Sequence, residues 1–364
     1  MIRPLLLSVC SVLLLAGVFA AEPENPLDGR SFTAHASGVL VTRFGPDAAG
    51  QLAGLRLGDI ITSYAGKPIA TQEELIAAVT ANTADVQVVV QRGDAVVTIT
   101  AKPGKLGAHV STIAAGTHWE LPPATPVTFA SERLVKSPID TWYTFEIDGK
   151  KVGAEHARVE RVGDRLTVIV EVMFDGGEKW GLNHMIETGV LDVSGAAPRV
   201  VTQIHEGPLW DLTSSGKWKD AETWEVTVDG KGDDGKPFRE VETSPAPGPL
   251  INDYSFASMA ALMPMVPGTC HHSRTVVANQ AKPNAWSALV VIGPEDLEIA
   301  GKTLKATRIE RRMLMNKASI HWVVDGEVVK HDYSGSTGST IAYKTTKEQA
   351  LAGLDPKLVP RTAK

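Results

Sequence analysis

Three Asp-Gly pairs, Asp148-Gly149, Asp229-Gly230 and Asp325-Gly326, each follow a run in which apolar and polar residues alternate. Asp-Gly between alternating runs is the strongest short-range hairpin signal, because both residues tolerate the positive φ that a tight I′ turn requires. Trp142 to Ile147 meets the first pair and resumes as Lys150 to Val159; Arg165 to Phe174 follows a Gly-Asp turn. Thr223 to Val228, Thr303 to Met313 and Ser319 to Val324 repeat the pattern. From Val127 to about Lys344 the chain therefore reads as strand after strand, a large antiparallel sheet that is strongly curved or closed. Only Tyr254 to Met263 and Thr346 to Leu351 read as helix.

The stretch before it reads differently. From Ser37 to Ile69, SGVLVTRFGPDAAGQLAGLRLGDIITSYAGKPI, a strand, a turn at Gly45-Pro46-Asp47 and a short Ala-rich helix lead to Gly54. Glycine is the cheapest left-handed residue with which to end that helix. Gly58-Asp59 then turns into Ile60-Ile61, and Gly66 turns out of it. Thr71 and Glu74 form a capping box for a helix over Gln72 to Thr80, and strands follow over Val86 to Gln91 and Ala95 to Thr100. This order of glycines, small residues and strands resembles a PDZ domain of the kind found in bacterial envelope proteases and their non-catalytic relatives. The resemblance implies peptide recognition without chemistry.

A second resemblance rests on WYTFEIDGKKVGAEHARVERVGDRLTVIVEV and GPEDLEIAGKTLKATRIERR, with Gly149-Lys150-Lys151-Val152-Gly153 as the turn. These segments look like periplasmic β-domains similar to lipoprotein-carrier half-barrels, whose concave face receives a lipid or other apolar ligand. The expected fold class is thus mixed: an α+β PDZ-like domain of five to six strands and two helices, then a large antiparallel β half-barrel or curved sheet. Its boundaries are a signal peptide over 1–20, the PDZ-like domain over 29–102, a Gly/Pro-rich linker over 103–126, the β-domain over 127–345 and a tail over 346–364.

Met1-Ile2-Arg3, the apolar run Leu5 to Phe19 and the small residues around Ala20 read as a cleavable export signal, which places the mature protein in the periplasm or outside the cell. No later apolar run is long enough to span a bilayer, so no transmembrane anchor is expected after cleavage. With Cys10 in the signal, only Cys270 remains, and no internal disulfide can form. The net charge of −6 is dispersed and leaves no nucleic-acid footprint.

Proteolysis finds little support. No Gly-x-Ser-x-Gly is present, and Ser214-Ser215-Gly216, the nearest approach, reads as a loop. His-Glu-x-x-His is absent. A Ser-Lys dyad leaves no local signature. Cys270-His271-His272 has the chemistry of a zinc or copper site, with Cys270 and His272 able to share a strand face. The preferred reading is structural, with no cofactor and no metal, Cys270 being a small buried hydrophobe. Of eight tryptophans, seven lie beyond the linker; Trp142 and Trp322 read as core, and Trp180, Trp210 and Trp218 as rim of a cleft. The methionine-containing run Tyr254 to Met265 reads either as a helix plugging a half-barrel or as a buried connection.

The expected function is non-enzymatic: the PDZ-like module binds peptides or protein C-termini, and the β-domain is a scaffold or binds an apolar ligand. The alternatives are a component of an envelope protease system, or a hydrolase with unrecognised residues. The PDZ resemblance puts a carboxylate-binding loop at Gly29, Arg30, Ser31 and Phe32, with Leu75 and Val79 flooring an apolar pocket.

Overall fold

The computed structural model describes residues 31–44, 48–120, 122–193, 198–208, 211–231, 235–246, 250–252, 255–276, 278–279, 286–313, 316–333 and 340–362. The signal-like segment, Gly29 and Arg30 lie outside them.

The first region contains β1 (Ser31–Thr33), β2 (Gly38–Phe44), α1 (Ala49–Leu52), β3 (Ile60–Tyr64) and β4 (Lys67–Pro68). It continues with α2 (Gln72–Ala81), β5 (Val86–Arg92), β6 (Ala95–Ala101), β7 (Ala108–Ile113) and β8 (His118–Glu120). Strands β6, β5, β3, β2 and β7 lie side by side in that order, with β4 on β3, to make a six-stranded sheet. Val39, Val41, Ile61, Val88 and Val90 are wholly buried in its core. Gly54 ends α1 at φ 101°, and the capping box at Thr71 and Glu74 opens α2. Asp59, fully buried, accepts from the Arg56 amide at 2.8 Å and from Nε and Nη2 of Arg92, each at 2.8 Å. That bidentate pair ties the turn before β3 to β5. Residues 103–126, expected as linker, carry β7 and β8; β7 is one edge strand of the six-stranded sheet, pairing among the described residues with β2, and β8 pairs with β1.

The second region begins with β9 (Ile139–Ile147), β10 (Lys150–Val162), β11 (Arg165–Asp175), α3 (Gly177–Trp180), β12 (Leu182–Asp192) and β13 (Pro198–Glu206). Then come β14 (Asp211–Trp218), β15 (Thr223–Lys231), β16 (Pro237–Pro245), β17 (Leu250–Asn252) and α4 (Ser255–Leu262). It closes with β18 (Cys270–Val276), β19 (Trp286–Ile299), β20 (Lys302–Met313), β21 (Asn316–Val324), β22 (Glu327–Asp332), β23 (Thr340–Thr345) and α5 (Lys347–Leu351).

One sheet of fifteen strands holds β9 to β23. It is two meanders, β9 to β16 and β17 to β23, joined where β9 pairs with β23; all its pairs are antiparallel except β17 with β18. The two edge strands, β16 and β17, are separated by only four residues of chain. Laid flat, fifteen strands would hold those edges about 65 Å apart. Four linking residues span less than about 20 Å. The sheet must therefore curl until its edges approach, and β17 does pack on β13. Helix α4 lies inside the curl, every residue from Ser255 to Leu262 buried, with Val168 and Val170 on one side and Ile309 and Val323 on the other.

The expected mixed α+β class is thereby corrected. The described residues are mostly β, 58% strand against 12% helix, with sheets of six and fifteen strands and no closed barrel among them. The short helices α1 and α2 misled the class assignment, because they cap one sheet rather than form a layer of their own. The half-barrel gives way to a single open sheet curled around a helix.

Local signals also divide. Asp148-Gly149 and Asp325-Gly326 turn with both φ values positive, as do Ala65-Gly66 and Ala300-Gly301. Asp229-Gly230 does not turn: β15 runs on through it to Lys231. A Cβ on Gly230 would come within 3.0 Å of the Phe238 ring, so close approach between strands, not a bend, requires the glycine.

Candidate functional site

Helix α2 flanks the six-stranded sheet beside its β7 edge. It packs on β3 and β7, and the Gln72 amide donates to Thr112 Oγ1 of β7 at 3.0 Å. Gln72, Ile76 and Val79 recur at i, i+4 and i+7 and so share a helix face. Ile76 is 55% exposed, and Val79 is half-buried against the core. Leu75 is buried in the core. Ahead of β7 runs Pro103-Gly104-Lys105-Leu106-Gly107. Gly104 and Gly107 have φ of 106° and 69°, and a Cβ on Gly107 would lie 2.8 Å from Ala48 Cα. The Leu106 carbonyl is held by the Gly50 amide at 2.8 Å. Among the described residues the amides of Lys105 and Leu106 make no hydrogen bond. An edge strand, the helix with an exposed isoleucine that packs on it, and the glycine-bounded loop that leads into it thus adjoin one another.

Ser31 and Phe32 lie in β1, paired with Glu120 and Trp119 of β8 in a separate two-stranded sheet. The strand alongside α2 is β7. Ile76 and the loop at 103–107 were missed from the sequence. Their signals were an isoleucine four residues after Gln72 and a Leu-Gly pair just before a strand.

The large sheet gathers its titratable groups in two places. On the concave side Ser319 Oγ lies 2.9 Å from His321 Nε2, and His321 Nδ1 lies 2.9 Å from His331 Nδ1. Hydroxyl, imidazole and a third group in line suggest a nucleophile and its base. All three are buried. Burial, with the charge of Arg311, presses His321 down to about 3, and burial, with His321, holds His331 well below its usual range. Nearby Tyr143 donates to the Val328 carbonyl at 3.0 Å. Burial raises the Glu155 carboxyl to about 7. Tyr143, Ser258 and His331 border a cavity of about 10 Å³, room for one water. No lipid-sized space is present there among the described residues, because α4 occupies it.

On the convex side the C-terminal segment is latched. Glu171, fully buried, accepts from the amides of Arg361 (2.6 Å) and Thr362 (3.1 Å), from the Thr362 hydroxyl, and from His184 Nε2 (2.7 Å). Burial alone would raise its carboxyl, but these donors outweigh burial and hold it at about 2. Arg361 makes a bidentate pair with Glu206, Arg158 donates to the Thr362 carbonyl, and Lys151 donates to the carbonyls of Gln349 and Ala352.

Cys270 and His272 lie on β18 with His271 between them. Cys270 is wholly buried, and His272 Nε2 donates to the Pro122 carbonyl at 3.1 Å. His271 meets the Phe129 ring edge-on, and burial, helped by His272, lowers it to about 4. No group of three or more potential metal ligands occurs among the described residues. Ser214-Ser215-Gly216 is strand β14, not a loop; a Cβ on Gly216 would touch the Trp224 ring at 2.7 Å. Trp142 and Trp322 are buried. Trp218, expected at a rim, packs edge-on against Trp224 and donates to the Pro198 carbonyl at 2.8 Å. The side chains of Trp180 and Trp210 lie outside the described residues. No described helix is long and apolar enough to cross a membrane. No family model matches this chain, and neither does any curated protein.

Proposed function

We propose that this is an exported peptide-recognition protein, in which the six-stranded sheet binds protein C-termini and the fifteen-stranded sheet is its scaffold. The observation that carries the reading is the β7 edge beside α2, headed by the Lys105-Leu106 amides. An extended peptide adds to β7 as a further strand, main chain to main chain. Its terminal carboxylate takes the loop amides, with the exposed Lys105 ammonium adding charge. Its last apolar side chain lies against Ile76 and Val79. The resemblance to PDZ domains supports the same assignment. The export signal over residues 1–20 supports a periplasmic or secreted site of action, and N-terminal sequencing of the mature protein tests it.

Fluorescence anisotropy with labelled peptides tests the groove. Peptides with a free apolar C-terminus should bind in the micromolar range, about −8 kcal/mol, and their amides more weakly. Ile76→Asp should weaken binding about tenfold while leaving the melting temperature in place, since Ile76 is largely exposed. Equal affinity for acid and amide would refute the carboxylate site.

A further inference from the structure

Strand β16 is the free edge of the large sheet; among the described residues it pairs with β15 alone. Every residue from Pro237 to Thr243 is exposed, on both faces. Prolines at 237 and 245 bracket the stretch from Phe238 to Ser244, all of which keeps its backbone N–H. Such an edge is a template for another strand unless its side chains forbid it.

The side chains choose the occupant. Phe238, Glu240 and Glu242 alternate onto one face, and Arg239, Val241 and Thr243 onto the other. Arg239 is already paired with Asp229 at 3.2 Å. Glu240 and Glu242 make no ion pair among the described residues. A second copy of β16 is a poor partner. Two-fold antiparallel pairing centred on Val241 sets Glu240 against Glu242 twice, and a slip of two residues either way, which moves the two-fold centre by one, sets Glu240 on Glu240 or Glu242 on Glu242. Like charges directly opposite are destabilising. The same two carboxylates, one residue apart and facing the same way, match cations at the same spacing.

We infer that β16 takes an extended segment of a partner protein, added antiparallel, with Lys or Arg at two positions separated by one residue, opposite Glu240 and Glu242. This surface is independent of the β7 groove, and a peptide blocked at both ends separates them because it offers no carboxylate.

The probe is acetyl-Thr-Lys-Val-Lys-Val-Thr-amide, labelled and titrated with the full chain. Saturable binding is expected. The double variant Glu240→Lys/Glu242→Lys should weaken it at least about tenfold and should instead bind the peptide with Glu in place of Lys. Methylating alternate peptide nitrogens should abolish binding, since strand addition needs those N–H groups. Absence of binding at millimolar peptide, or binding indifferent to the charge reversal or to N-methylation, overturns the proposal. So does concentration-dependent dimerisation by sedimentation that Val241→Pro abolishes, which would make a second copy the occupant.

Discussion

The two sheets differ in their buried ionisable groups: the small one holds Asp59 paired with Arg92, whereas the large one encloses Glu155, His321 and His331, each shifted by burial. In the six-stranded sheet the buried Asp59 is met by Arg92 and the Arg56 amide. Gln91 donates to the carbonyls of Thr33 and Gly93 and accepts from the His35 amide. In the fifteen-stranded sheet, Glu155, His321 and His331 are enclosed on the concave face. Burial that disfavours the charged form of an ionisable group makes stability depend on protonation. The large sheet thus carries a titratable interior.

The sharpest way to break this contrast is acid. His321 and His331 are held neutral, with folded pKa values depressed below their unfolded ones. The unfolded state therefore binds more protons below about pH 6.5, and stability falls as pH drops from there towards about 3. The expected loss is on the order of 5 kcal/mol. Tryptophan emission, which has no source within residues 38–113, should report the large sheet melting in mild acid. A His321→Leu/His331→Phe double variant should move that transition down by about one pH unit. Amide exchange from β5 should stay protected through the same range; loss of both sheets together would erase the contrast.

Conversely, Asp59→Ala should strike the small sheet. Removing one partner of a buried pair costs about 4 kcal/mol. Exchange should quicken in β3 and β5 while tryptophan emission is unchanged. Glu155→Gln sharpens the other side. Its folded pKa of about 7 exceeds the unfolded value, so the native carboxyl costs stability as pH rises from about 4.5 to 7. The variant should be more stable than the parent at pH 8 by about 3 kcal/mol and no different at pH 4. The smallest effect is Thr71→Ala, which removes the cap of α2 at about 1 kcal/mol and loosens the helix beside the groove. Chemical denaturation followed by circular dichroism measures both.

What was legible in the sequence was local. The Thr71 capping box, the Gly54 helix end and the turns at Asp148-Gly149 and Asp325-Gly326 each depend on residues within a few positions of one another. Asp229-Gly230 misled because the same dipeptide served a contact with Phe238 on the next strand, which no local window contains. The neighbour of α2 was not legible for a related reason. A strand on either side of the small sheet could flank α2, and only the pairing of β2 with β7 decides between them. The concave histidines, ten residues apart, meet only because β21 and β22 pair in a particular register.

The seam between β9 and β23 joins Trp142 to Thr345. During synthesis the chain emerges from its N-terminal end, so β9, which pairs at once with β10, must wait for nearly the whole of the second region before its other neighbour, β23, exists. Closing so long a loop is slow relative to making hairpins. In the interval each meander presents a bare edge at what will become the centre of the sheet, open to strands of other chains. The latch of Arg361 and Thr362 on Glu171 follows β23 in the chain, so it locks the seam only after it has zipped. The stage most exposed to misassembly is therefore the last, and holding the half-made sheet apart from its neighbours is the service such a chain would ask of a chaperone.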